Sequence, residues 1–208
     1  MNINKLFKMQ ESFDARVLKD KGLAREETFN LRILAFIDEV AECMKEWRVF
    51  KFWSNDRKPR TFSRESCPDC KEKGYTRGNP PIDEKLGVHG LGNHWYYCEK
   101  CAGHLVVDKN PLLEEYVDGL HFAISLCIDM GVDITLPVAI CCDDVTEQFL
   151  EIYALSVQLK NEPTALRADV LLGHYLGLGE MLGFKLEEIE CAYIEKNKVN
   201  HDRQDNGY

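Results

Sequence analysis

Four carboxylates on two apolar stretches carry the clearest chemistry in this sequence. Glu39 and Glu42 stand three residues apart, and so do Glu115 and Asp118. On a helix, at about 100° per residue, each pair falls on one face, roughly 60° apart. Leu31, Ala35, Phe36, Val40 and Trp47 surround the first pair. Val117, Leu120, Phe122, Ala123, Ile124, Leu126 and Cys127 surround or follow the second. Both stretches are apolar on nearly every side, which predicts buried helices. Burying a carboxylate without a cation costs several kcal/mol. Four of them suit a hard divalent ion such as Mg²⁺, which takes carboxylate and phosphate oxygens as ligands. Either pair alone would equally fit an ordinary solvated helix face.

A second constellation is Cys67-Pro-Asp-Cys70 with Cys98-Glu-Lys-Cys101. Two such knuckles supply four thiolates, the ligand set of structural Zn²⁺. His89, His94 or His104 could replace one cysteine. The alternatives are unconnected thiols or a redox CxxC. The other five cysteines (Cys43, Cys127, Cys141, Cys142, Cys191) are expected to be small buried apolar residues. A third constellation is the basic end. If the last helix continues, Lys196, Asn200 and Arg203 share a face whose cationic and amide donors suit phosphate oxygens. Asn197 would be a further amide or simply exposed. Favourable charge at a helix C-terminus is the plain alternative.

The elements that must position these groups fall into three stretches. Residues 1–53 predict helices, from Leu6, Gln10, Phe13 and Val17 and then from Phe29, Ile33, Phe36, Val40, Cys43 and Trp47. Residues 54–106 change character, holding Pro59, Pro68, Pro80 and Pro81 and both cysteine pairs. Loops and short strands such as 94–97 are expected there, with too few apolar residues for a core. Beyond 107 the chain is helical again. Asn110-Pro111 opens one helix and Gly131 stops it. Asp144-x-x-Glu147 opens the next, which ends before Pro163. A third starts near Thr164 and carries Gly173, Gly177 and Gly179, which make sense only where another backbone comes close. The last spans about 186–200. The middle stretch reads as an insertion, 55–106, into one discontinuous all-α domain made of 1–54 and 107–208.

Composition narrows the function. The chain has 208 residues and a net charge of −9, a poor match for direct nucleic-acid binding through phosphates. Nine cysteines, an odd number, in a chain without an apolar leader argue for reduced thiols and a cytoplasmic setting. No apolar run is long enough for a membrane span.

The stretches E-V-A-E-C-M-K-E-W-R-V-F-K-F-W-S (39–54), E-E-Y-V-D-G-L-H-F (114–122) and A-Y-I-E-K-N-K-V-N-H-D-R-Q-D-N-G-Y (192–208), with the weaker Q-E-S-F-D (10–14), resemble the dimeric all-α dUTPases. That family occurs in bacteria, phages and some protozoa and belongs to the MazG-like all-α nucleoside-triphosphate pyrophosphatases. The resemblance leaves 55–106 unmatched. It implies a helical bundle in which Glu39, Glu42, Glu115 and Asp118 hold Mg²⁺. It implies hydrolysis of dUTP to dUMP and pyrophosphate, which keeps uracil out of DNA. It also implies Lys51, Lys196, Asn200 and Arg203 near phosphates, Trp47 and Phe52 flanking the nucleoside, His121 at the sugar and Gln10 at the base edge. Asp14 matches a position that is Asn in some relatives. Core packing is the alternative for Trp47, Phe52 and His121.

Two classes of function remain open at this point. One is a Mg²⁺-dependent, homodimeric dUTPase with a structural Zn²⁺ module, acting in the cytoplasm (the host's, if phage-encoded). Within that class a related base such as that of dCTP, or dUDP as a second substrate, is not separated by the sequence. The other is a non-catalytic zinc-ribbon adaptor on the same scaffold. A regulatory protein partner is compatible with either.

Overall fold

A computed structural model describes residues 1–72, 82–83, 88–89, 98, 100–101, 104–133 and 138–207. The chain divides into two compact units, one formed by Met1–Pro59 with Leu112–Tyr208 and the other by Arg60–Pro111. The first is all-α. Its helices are α1 (Ile3–Lys21), α2 (Phe29–Trp47), α4 (Pro111–Asp129), α5 (Val145–Asn161), α6 (Ala165–Met181) and α7 (Leu186–Asp205). The second holds the short helix α3 (Pro68–Glu72) and two antiparallel ladders. These pair β1 (Ser63–Ser66) with β4 (Val106–Lys109), and β2 (Ile82–Asp83) with β3 (Val88–His89). Residues 94–97, expected as a strand, lie outside the described residues.

The helix ends follow local chemistry. Asn2 caps α1 by accepting from the Lys5 amide, and Gly22 ends it in a left-handed conformation, φ 67°. Residues 1–53 are therefore two helices, with a short 3-10 turn at Glu26–Thr28 between them. The Asp144 carboxylate accepts from the Thr146 and Glu147 amides at the start of α5, and the Thr164 hydroxyl accepts from Arg167 at the start of α6. Gly131 follows α4 at φ 64°.

The last helix runs five residues beyond the expected end at Asn200. Its final turn has partners on α1: Arg16 binds Asp205, and the Phe13 ring meets His201 edge-on at 5.0 Å. Those contacts hold a turn that would otherwise fray.

The core gathers Leu6 of α1, Phe36, Val40 and Cys43 of α2, Leu120 and Ile124 of α4, Ile152 and Leu159 of α5, Leu171 and Leu172 of α6, and Tyr193 of α7. Two sequence expectations need correction. Helix α2 is not buried all round, because Leu31 and Leu34 are 62% and 64% exposed. Cys141 and Cys191 are exposed as well, whereas Cys43 and Cys127 are buried. An apolar composition shows that a helix can be buried, and only packing decides how many of its faces are.

The α6 glycines do meet close neighbours, and those belong to the same chain. A Cβ on Gly177 would lie 2.0 Å from the Ile140 carbonyl oxygen, and one on Gly173 would lie 2.9 Å from that of Val138. The segment at 138–140 is laid on α6 and tied there. The Ile140 amide donates to the Gly173 carbonyl at 2.9 Å, and the buried Gln148 amide donates to the Ile140 and His174 carbonyls. These glycines are therefore accounted for without a partner helix from a second copy.

Candidate active and metal sites

Helix α2 presents Glu39 and Glu42, and α4 presents Glu115 and Asp118. Carboxylate oxygens of Glu39, Glu42 and Glu115 all lie within 4.8 Å of one another. Asp118 differs. Its Oδ2 is ion-paired with Lys196 of α7, and its Oδ1 is buried without a partner.

Electrostatics report the crowding. Burial pushes the Glu39 carboxyl up to about 7, helped by Asp118 and Glu42 and opposed by Lys196. Burial likewise pushes Glu115 up to about 7, with Asp118, Glu42 and Glu39 adding to it. Asp118 is raised by burial and pulled back by Lys196. An all-oxygen donor set with this much unneutralised charge fits a hard divalent cation.

Of the four acids, Glu39 and Asp118 line a cavity of about 350 Å³, and Glu42 and Glu115 do not. Its lining includes Glu39, Asp118, Lys196, Asn200, Arg203 and Gln204, which combines carboxylates with phosphate-type donors. Its other lining residues include Phe13, Val17, Leu18, Leu23 and Phe122, together with Gln10, Asp14, Thr28, Arg32, His121 and Ser125. The apolar members read in sequence as core residues. Phe13 and Val17 have the periodicity of a core stripe, and nothing in a periodicity separates the wall of a cavity from a filled interior.

Gln10 is buried, and both its amide oxygen and its amide nitrogen are engaged. Its Oε1 accepts from the Tyr193 hydroxyl at 2.8 Å and faces His121 Nδ1 at 2.7 Å, and its Nε2 donates to Asp14 at 2.7 Å. An amide oxygen only accepts, so His121 carries its proton on Nδ1. Its Nε2 is then an acceptor, and it is buried without a partner. Burial pushes the His121 pKa down to about 3, so the ring stays neutral, stacked on Tyr193 at 3.7 Å. Gln10 thus positions His121 and Asp14 at the cavity.

Asp14 also accepts from the Ser125 hydroxyl at 2.6 Å and pairs with Arg25 at 3.3 Å. Beyond it, Arg32 is buried and donates to Asp129, Thr28 and Ser125. Arg32 and Ser125 carried no signal in the sequence, where an arginine on an apolar helix looks like a surface residue.

Four residues expected near the nucleotide, Trp47, Lys51, Phe52 and Asn197, do not line this cavity. Trp47 sits in the core with its ring 5.4 Å from Phe149. Phe52 is 80% exposed beside Trp53, and Lys51 lies over the Phe50 ring. Both belong to a turn after α2 that Arg48 closes onto Asp56 and Arg57 closes onto the Val49 carbonyl. Asn197 is buried rather than exposed, and its Nδ2 has no partner.

In the second unit Cys67, Cys70, Cys98 and Cys101 are all buried, and their sulfurs lie within 4.8 Å of one another. Cys67 and Cys98 sulfurs are 3.8 Å apart, and those of Cys70 and Cys101 are 3.6 Å apart. A tetrahedron of Zn–S bonds of about 2.3 Å requires edges of about 3.8 Å, so the thiols fit Zn²⁺. With four cysteines together, no histidine is needed to complete the set.

A family model described as dUTPase matches residues 2–66 and 102–208. The stretch between the two matched blocks, 67–101, begins and ends on cysteines of the cluster. No curated protein and no solved structure matches the chain.

Proposed function

The chain belongs to the all-α dUTPase family, and we propose on that premise that it is a Mg²⁺-dependent pyrophosphatase converting dUTP and water to dUMP and pyrophosphate. The observation that carries this reading is that Glu39, gathered with Glu42 and Glu115, lines a cavity together with Lys196, Asn200 and Arg203. Glu39, Glu42, Glu115 and Asp118 would hold Mg²⁺, which when bound supplies charge neutralisation at the substrate phosphates.

The chain's own residues supply the rest. Lys196, Asn200 and Arg203 hold the triphosphate. Glu42, one of the three gathered acids, with a side chain 46% exposed, orients the water and takes its proton. The water oxygen bonds to phosphorus as the bridge between the α and β phosphates breaks, and the pyrophosphate leaves with the bridging oxygen. His121 offers an acceptor to the nucleoside, and Asp14 stands at the base end, with Gln10 holding both.

The four-cysteine unit is read as an inserted Zn²⁺ module, 55–106, whose folding the metal drives. No helix among the described residues is long and apolar enough to cross a membrane, and we place the enzyme in the cytoplasm as a homodimer. A related base keeps one specific argument: Asp14 is a carboxylate, and the amino group of cytosine is a donor.

The test is pyrophosphate release from dUTP, dCTP, dTTP and UTP with Mg²⁺ and with EDTA, beside Glu42→Gln. Mg²⁺-dependent turnover of dUTP alone, lost in the variant, is expected. Turnover of dCTP instead moves the specificity to cytosine. No turnover of any nucleotide by folded, zinc-loaded protein would leave the adaptor reading.

A further inference from the structure

Lys196 occupies the place of a cation. Its ammonium pairs with Asp118 Oδ2, both side chains are largely buried, and Asp118 Oδ1 has no partner. The other three acids gather without it. Their one basic neighbour among the described ion pairs is the exposed Lys45, 3.5 Å from Glu42. The two halves of the site are therefore unlike: a three-carboxylate cluster open to a cation, and a fourth carboxylate already neutralised by the protein.

We propose that the Lys196–Asp118 ion pair is an autoinhibitory contact that keeps Asp118 closed to metal until a polyphosphate arrives. The inference rests on the carboxylate–Mg²⁺ reading above. The free protein takes one divalent ion, at Glu39, Glu42 and Glu115. A second ion reaches Asp118 only when nucleotide phosphates draw Lys196 away.

Lysine is a point charge on a flexible four-carbon stem, so its ammonium can change partner without moving α7. A polyphosphate offers it several charged acceptors close by, since Lys196 shares the cavity wall with Asn200 and Arg203. Removing Lys196 alone would leave Asp118 buried with only the weaker pull of Arg203, which is costly, so departure of the ammonium and arrival of a second cation are coupled. By linkage, nucleotide and second ion raise each other's affinity by the same factor.

The test counts ions rather than turnover. Mn²⁺ is titrated into the full, zinc-loaded chain, and free Mn²⁺ is read by electron paramagnetic resonance. Wild-type protein is expected to bind one Mn²⁺ per chain alone, and two with α,β-imido-dUTP after subtraction of the analogue's own binding. Lys196→Met is expected to bind two without nucleotide, and Lys196→Arg one. Lys196→Gln serves in place of the methionine variant if that variant does not fold. Two ions on nucleotide-free wild-type protein, or one ion on the neutral variant, would overturn the inference. No Mn²⁺ on wild-type protein even with the analogue is a different result, and it removes the carboxylate reading together with this one.

Discussion

Tyr116 of α4 and Tyr175 of α6 stack with ring centroids 5.0 Å apart and planes 3° from parallel. Each hydroxyl donates to the other residue's backbone carbonyl, at 3.2 Å from Tyr116 and 2.8 Å from Tyr175. This reciprocal clasp fixes α4 against α6 at the residue after Glu115, so it also fixes where the acid pair points.

The clasp fits because Gly119 and Gly179 leave room for the hydroxyls. A Cβ at Gly119 would lie 2.1 Å from Tyr175 Oη, and one at Gly179 would lie 2.4 Å from Tyr116 Oη. Neither ring can retreat, since both tyrosines are fully buried. Gly119→Ala is expected to destabilise the fold by about 2–3 kcal/mol, typical of an overpacked core. Urea unfolding measures it. Tyr175→Phe removes one buried donor and should cost about 1–2 kcal/mol. If Gly119→Ala is still destabilising by the same amount in the Tyr175→Phe background, the clash lies elsewhere.

Gln10 makes a separate prediction. Replacing it with Leu keeps bulk but leaves the Tyr193 hydroxyl, His121 Nδ1 and Asp14 each short of a partner. Unsatisfied buried groups cost about 1–3 kcal/mol apiece, and water reaching the cavity recovers part of that. A net loss of about 2–4 kcal/mol in denaturant unfolding is expected. The His121 ring should also lose its fixed tautomer, visible in imidazole ¹⁵N shifts. Unchanged shifts would mean that Gln10 does not hold the ring.

Much of this was legible in the sequence because it is local. The helix starts at Pro111, Asp144 and Thr164 are written in cap residues, and the acid pairs in a three-residue spacing. What was not legible depends on packing between distant elements. Trp47 has the composition of a nucleoside wall and is core. Phe13 and Val17 have the composition of core and line the cavity. The extra turns of α7 depend on Arg16 and Phe13, more than 180 residues away in the chain. Leu31 and Leu34 carry no mark that separates an exposed leucine from a buried one.

The cysteine unit predicts a local effect of metal removal. Its β1–β4 ladder holds Arg64 against Asp108 and Lys109 against Glu65, exposed ion pairs of little strength. Zinc binding is then the main folding energy of the unit. Cys70→Ser, or a strong chelator, should speed amide exchange throughout 60–72 and 104–110 while the helices of the other unit keep their protection. Hydrogen exchange by mass spectrometry reads both regions in one experiment. Uniform loosening of the whole chain would contradict the prediction, as would exchange unchanged by loss of the metal.

The raised carboxyls set a pH dependence. Glu39 and Glu115 titrate near 4.5 when unfolded and at about 7 when folded. Between those values the folded chain holds more protons than the unfolded one, so stability falls as pH rises. The cluster's protonated form thus helps fully below about 4.5, and that help is lost as pH climbs through about 7. A bound divalent cation does the reverse, because it needs both carboxylates ionised and must displace those protons at low pH. Mg²⁺ at a fixed concentration is therefore expected to raise Tm more at pH 8 than at pH 5.5. The difference should vanish in Glu39→Gln/Glu115→Gln, where neither group titrates. That double variant should also be more stable than the wild-type chain at pH 8 without Mg²⁺, since amides in place of two crowded charges remove their repulsion. An equal Tm shift at both pH values would show that Mg²⁺ binds elsewhere on this acidic chain.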